Sequence, residues 1–178
     1  MSTMPPPPPP SSVPPGYQPY AAGGAAMSYA SWGARVGGAI LNSLSSWLFY
    51  LPAMIAFFAG PREYTECTIN DEPGLCKLPT SQGWVIIAVL GAVGLVAFFV
   101  MYSKAVGKTG QFWGHRGAGV RIVDATTGGP IGAGRAFGRY FAHILDAIPC
   151  YLGFLWPLWD QKKQTFADKI TGTVSVRA

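Results

Sequence analysis

Arg35-Val36-Gly37-Gly38-Ala39-Ile40-Leu41-Asn42 opens the first long apolar stretch of the chain, and Arg139-Tyr140-Phe141-Ala142-His143-Ile144-Leu145-Asp146 opens the last. Each is an arginine followed after six residues by a polar side chain, with Ile-Leu immediately before it. Seven residues make almost two helical turns, so the arginine and the later carboxamide or carboxylate share nearly one face, about 10.5 Å apart along the axis. One end of each pair then sits at a membrane surface and the other inside. A polar or ionisable group within an apolar span is costly and marks either a functional site or glue between helices; both readings stand at this point.

The surrounding composition is that of a membrane protein. Of 178 residues, 49 % are apolar and only 12 % charged, and the mean hydropathy is +0.26, which leaves too little polar surface for an ordinary soluble domain of this size. Val36–Ala59 is 24 residues without a charge and Trp84–Tyr102 is 19. Either can cross a hydrocarbon core of about 30 Å as a helix. No cleavable signal peptide is expected, because Arg35 is the first charged residue and nothing before it forms an apolar core. Residues 1–31 hold nine prolines, six of them consecutive at Pro5–Pro10, and no charge. The expectation there is a solvated, disordered, partly polyproline II tail, serving as a spacer or as a docking strip for a partner. Residues 32–178 form the membrane domain.

Orientation follows from the placement of Lys and Arg. Residues 103–139 carry Lys104, Lys108, Arg116, Arg121, Arg135 and Arg139 against the single acid Asp124, which assigns this loop to the cytoplasm. The loop 60–83 carries Arg62 and Lys77 against Glu63, Glu66, Asp71 and Glu72 and belongs outside. The basic balance of the chain is thus membrane topology and calls for no nucleic acid. Cys67 and Cys76 both lie in the outer loop, where oxidising conditions allow a disulfide, and Pro73-Gly74 between them is read as the turn of a compact cap. Two cysteines without a histidine do not build a metal site. Cys150, within the last apolar stretch, reads as a small buried residue.

Tyr140–Trp159 is apolar enough to enter the membrane but contains His143, Asp146, Pro149, Gly153 and Pro157. A full crossing would leave Lys162, Lys163, Lys169 and Arg177 on the wrong side. A kinked, re-entrant segment removes that conflict: Pro149 breaks the helix near its middle and Pro157 stops the return limb. Half-helices at membrane depth must pack in protein or line water, so Asp146 is expected to face other helices or water. A second echo links the flanking segments. Laid over Gln164–Val176, Gln111–Val123 matches at the glutamine, at Gly119 with Gly172 and at the final valine. Each ends in a strand-like run, Val120–Val123 and Thr173–Val176, expected to pair as a small cytoplasmic sheet, with Thr126–Pro130 as the turn after the first.

No enzyme emerges. Gly107-Lys108-Thr109 resembles the end of a phosphate-binding loop, but the required first glycine falls at Tyr102. His115 and His143 have no partner at metal-ligand or nucleophile-base spacing. His143 and Asp146, at i and i+3, suit a proton relay or, more simply, an internally satisfied hydrogen-bond pair. No cofactor is implied.

At Arg35, Asn42, Arg139, Asp146 and the tail from Gln164-Thr165-Phe166-Ala167-Asp168 to Gly172-Thr173-Val174, the chain resembles the RDD family, named for one arginine and two aspartates in its membrane region. The stretch from Leu145-Asp146-Ala147-Ile148 to Phe154-Leu155-Trp156-Pro157-Leu158-Trp159-Asp160 is the most telling part. The resemblance covers about residues 32–178, and with its proline-rich front end the whole chain is similar to the proline-rich antigens of mycobacteria and related actinobacteria. It implies a multi-pass protein of the bacterial plasma (inner) membrane with a role in transport, and the placement of Lys and Arg puts the N-terminus in the cytoplasm. Asn42 stands where the first family aspartate is expected and cannot ionise. A mechanism resting on Asp146 with Arg35 or Arg139 survives that departure. The fold expected is all-α: two transmembrane helices and a third kinked or re-entrant segment, with the small strand pair. The function expected is movement of an ion or small solute, which needs a homo-oligomer or partner membrane proteins because so few spans scarcely enclose a pore. The rival is a non-transporting accessory or scaffold subunit that binds partners through the Pro-rich tail.

Overall fold

The computed structural model describes residues 27–178; the proline-rich stretch before them lies outside the described residues. The chain divides into two compact units, Ser45–Phe99 and a second comprising Met1–Leu44 with Val100–Ala178.

Two long helices run through both units. Helix α1, Trp32–Ala59, starts four residues before the charge-free run. The Ser31 hydroxyl accepts the Ala34 N–H at 3.2 Å as its cap. Helix α2, Ser81–Thr109, opens on a Thr80 hydroxyl that accepts the Gly83 N–H and continues past Tyr102 because Ser103, Val106 and Gly107 on its last turns are buried against protein. Both are long and apolar enough to cross a bilayer.

In the first unit, the parts of α1 and α2 within Ser45–Phe99 pack through aromatic edges, with the Phe49 and Phe98 centroids 5.6 Å apart. A Cβ at Gly94 would run into the Phe49 carbonyl, so the two backbones approach closely there. Between the helices, β1, Arg62–Ile69, and β2, Glu72–Pro79, form an antiparallel hairpin. An all-α fold did not provide for this sheet. Cys67 and Cys76 are bridged across it, with Cα atoms 5.8 Å apart. The turn is not at Pro73-Gly74, which lie inside β2, but at Asn70-Asp71. Both have positive φ, 52° and 66°, the conformation of a two-residue turn whose twist matches the flanking strands. Asn and Asp tolerate it; proline, with φ locked near −65°, cannot.

In the second unit, α2 gives way to α3, Trp113–Gly117, and to β3, Val120–Asp124. Helix α4 spans Ala133–Ala147, α5 spans Leu152–Leu155 and runs into a 3-10 turn at Trp156–Leu158, and α6, Phe166–Thr171, leads into β4, Thr173–Arg177. The third apolar segment is indeed broken: α4 and the Leu152–Leu158 limb meet at 107°. The break follows Ala147, and Cys150 and Tyr151 adopt positive φ to turn the chain back. Cys150 is exposed rather than buried, a consequence of its place at the tip of the bend. Strands β3 and β4 pair antiparallel as expected, with Val120, Ile122, Val123, Val174 and Val176 almost fully buried. Asp124 Oδ1 accepts the Thr126 and Thr127 N–H groups to start the turn after β3. Ser28–Ala30 lie along the free edge of β4: the Ala30 N–H donates to the Ser175 carbonyl and the Arg177 N–H to the Ser28 carbonyl, both at 2.9 Å. The tail therefore joins the fold before Trp32, closing an edge that β4 would otherwise leave open.

Candidate functional site

The second unit is built twice, and the two sequence echoes are the two parts of one repeat. In its first half, α1 carries Arg35 and Asn42, and the Asn42 Oδ1 accepts the Gly114 N–H in the first turn of α3 at 2.7 Å. In its second half, α4 carries Arg139 and Asp146, and the Asp146 Oδ1 accepts the Phe166 N–H at 2.8 Å and the Ala167 N–H at 3.3 Å in the first turn of α6. A polar side chain from a long helix thus satisfies the unpaired donors of a short one, in the place where a negative charge or dipole is most favourable.

The correspondence continues through each short helix. His115 Nδ1 accepts the Phe112 N–H at 3.2 Å, and Asp168 Oδ2 accepts the Thr165 N–H at 3.3 Å. The Gln111 amide donates to the Val120 carbonyl at 2.9 Å, and the Gln164 amide to the Thr173 carbonyl at 2.7 Å. Gly119 and Gly172 take φ of 62° and 61° to turn helix into strand. The Ala125 N–H donates to the Gly172 carbonyl and the Ala178 N–H to the Gly119 carbonyl. In the β3–β4 ladder, Ile122 faces Ser175, its counterpart in the repeat, so an approximate two-fold axis passes through that pair.

Asymmetry enters at the third residue of each short helix, where His115 stands in one half and Asp168 in the other. Both arginines converge on the half that has the acid. Arg35 Nη1 lies 2.7 Å from Asp168 Oδ2, and Arg139 Nε and Nη2 each lie 2.8 Å from Oδ1. The Thr173 hydroxyl adds a bond to Oδ1 at 3.1 Å. Asp168 is completely buried. Burial alone would push its carboxyl up, but the Arg139 and Arg35 guanidiniums outweigh it and hold the group well below the usual carboxylate range. His115 has no such acid in contact; burial first, and then the nearby Arg139 charge, lowers it from 6.5 to about 3. It is neutral, which is why its Nδ1 can accept a hydrogen bond.

Asp146, also completely buried, shares its second oxygen with His143 Nδ1 at 2.6 Å. A Cβ at Gly153 would overlap Asp146, so the return limb after the bend must lie directly on the carboxylate. The Trp32 indole N–H donates to the Phe154 carbonyl at 2.9 Å, tying α1 to that same limb.

The structure therefore brings Arg35, Arg139 and Asp168 into one cluster, while Asn42 and Asp146 cap different helices. Asp146 is expected beside one of the two arginines, but the ion pairs of both run to Asp168. Thr165 and Thr173 were not singled out, although Thr165-Phe166-Ala167-Asp168 has the spacing of a capping box, with Thr165 accepting the Asp168 N–H at 3.1 Å. Among the described residues, no group of three or more His, Cys, Asp or Glu is placed to hold a metal ion.

The chain is 42 % identical over 98 residues to the proline-rich antigen homologs of two strains of Mycobacterium tuberculosis, CDC 1551 / Oshkosh and H37Rv, a match covering 55 % of this chain and 41 % of theirs. To the proline-rich antigen of Mycobacterium leprae it is 39 % identical over 93 residues, 46 % of this chain and 37 % of that one. The match thus spans about two fifths of the relatives' length. No solved structure matches. The profile of the RDD family matches residues 29–172, a range that includes both arginines, Asn42, Asp146 and Asp168, and the chain belongs to that family.

Proposed function

We propose that this chain is a multi-pass protein of the bacterial inner membrane in which the repeated Arg-x6-Asn/Asp motif fastens a small cytoplasmic sheet module to the membrane segments, and that it works as an accessory or scaffold subunit of a membrane complex. The observation that carries this reading is that the charged groups of the motif find their partners inside the fold. Arg35 and Arg139 both end on Asp168, and Asp146 is divided between the first turn of α6 and His143. A group that moves an ion or solute must exchange partners during the cycle. Asp168, at 0 % exposure between two guanidiniums and a hydroxyl, is held too tightly for that.

Further support comes from the disulfide-bridged hairpin, whose chemistry suits the outer face, and from the excess of Lys and Arg on the other loop. With both termini cytoplasmic, the proline-rich stretch and the hairpin would engage partners on opposite sides of the membrane.

A second reading, movement of an ion or small solute by a homo-oligomer, draws on the His143–Asp146 pair. The His143 side chain is 26 % exposed while its carboxylate partner is fully buried, the arrangement of a proton-exchanging couple. Purification in mild detergent separates the two. Stoichiometric co-purifying membrane proteins support the scaffold, and a homo-oligomer without them supports transport.

A further inference from the structure

Four cations of the second unit are held in ion pairs: Arg35 and Arg139 by Asp168, Arg135 by Asp124, Lys169 by Asp160. Three of the others stand together. Lys104, Lys108 and Arg116 are exposed, and none forms an ion pair with a carboxylate among the described residues. All three line one open groove of about 320 Å³ where the last turns of α2 meet α3, and no acid lines it with them. Lys104 and Lys108, at i and i+4, project from one face of α2, and Arg116 reaches the same groove from α3.

Apart from Thr109 and Gln111, the rest of the lining is apolar. Met101 and Trp113 are 44 % and 42 % exposed, and Phe112 stacks on Trp113 with centroids 4.9 Å apart. One turn before Lys104, α2 continues as bare apolar surface at Val100 and Met101. A phosphate ion would use the cations and waste the apolar floor. An acyl chain would use the floor and leave three like charges crowded together. A molecule carrying both parts uses the whole groove.

We propose that this groove binds an anionic glycerophospholipid of the cytoplasmic leaflet, its phosphate held by Lys104, Lys108 and Arg116 and its acyl chains lying along Met101 and the exposed face of α2. The aromatic pair Phe112–Trp113 sits at headgroup level, the usual depth of interfacial tryptophan. Basic pockets beside membrane helices on the cytoplasmic side recognise such headgroups, and three cations correspond to a preference of roughly a hundredfold over a zwitterionic lipid. The site rests on the reading of α2 as a span that ends at the cytoplasmic surface.

The test uses the full chain, purified in mild detergent, stripped of lipid and titrated with phosphatidylglycerol or phosphatidylcholine while bound lipid is counted by native mass spectrometry. The expected result is at least tenfold tighter binding of phosphatidylglycerol, loss of that preference when Lys104→Gln, Lys108→Gln and Arg116→Gln are combined, and no displacement by millimolar inorganic phosphate. The charge-retaining double variant Lys104→Arg with Lys108→Arg keeps the preference. Indifference of the unaltered chain to headgroup charge overturns the proposal. So does a preference that survives the triple variant, or lipid displaced by phosphate alone. Failure of the membrane reading gives a different result, recovery of the chain in the soluble fraction without detergent.

Discussion

Asp168 is the anion that joins two largely buried guanidiniums. Asp168→Asn preserves shape but leaves two charges without a counterion, and the expected cost is about 3–5 kcal/mol, typical of breaking a buried pair from one side. Thermal unfolding in detergent, or the yield of folded protein, measures it. Asp146 should behave differently. Its Oδ1 works as an acceptor for the α6 N–H groups, a task a carboxamide can perform, so Asp146→Asn is expected to fold and assemble while Asp146→Leu orphans those donors and fails. If transport is measurable and Asp146→Asn abolishes it while folding is unaffected, the scaffold reading falls. His115 supplies a pH prediction. Its folded pKa lies below the unfolded value, about 3 against 6.5, owing to burial first and then the nearby Arg139 charge. The unfolded chain therefore binds the proton first as pH falls. The contribution to stability is complete above about pH 6.5 and drains away toward pH 3. The melting temperature is expected to drop between pH 7 and pH 4.5, and His115→Asn, which retains an acceptor for the Phe112 N–H, to flatten that drop. Asp168, depressed in the usual carboxylate sense, contributes fully above its unfolded value of 3.8 and loses that contribution progressively as the pH falls below it.

At the level of elements, the hairpin β1–β2 has little burial to hold it. Tyr64, Ile69 and Leu75 are all more than half exposed, and an isolated two-stranded ribbon is marginal in water. The Cys67–Cys76 cross-link, closing a separation of nine residues, supplies what packing does not. In the chain-entropy view such a link is worth about 2–3 kcal/mol. Cys67→Ser is expected to loosen the hairpin selectively: amide exchange across 62–79 should accelerate while the sheet β3–β4 stays protected. Uniform acceleration would mean the hairpin is coupled to the rest of the fold. Non-reducing mass spectrometry with thiols blocked should recover the two cysteines linked and Cys150 alkylated.

For the whole molecule the expectation is that both termini lie on the cytoplasmic side and only the hairpin outside. Single cysteines at the exposed positions Ala178 and Asn70, introduced without Cys150, are the direct check with an impermeant reagent on intact cells. Asn70→Cys should label and Ala178→Cys should not; a reactive Ala178→Cys would mean that the bent third segment crosses fully.

Length, periodicity and charge sufficed for what depends on local composition: two apolar helices, a third segment broken by Pro149, a strand pair at 120–124 and 173–177, and a disulfide between the two cysteines of one short loop. The turn at Asn70-Asp71 was also legible in principle, since two adjacent residues tolerant of positive φ lie midway between the strands; the stronger local signal of Pro-Gly masked it. What the sequence could not determine is which polar groups meet. The Arg-x6 echo and the Gln-to-Val echo have different offsets along the chain, 104 and 53 residues, because the hairpin and α2 lie within the first half only, and nothing in one dimension joins them. Tertiary packing does: β3 and β4 pair about a two-fold axis, this sets α3 under Asn42 and α6 under Asp146, and it draws Arg35 and Arg139, 104 residues apart, to the single carboxylate of Asp168. A buried charge takes whichever counterion the fold brings within reach, and that is a property of three-dimensional distance, not of spacing along the chain.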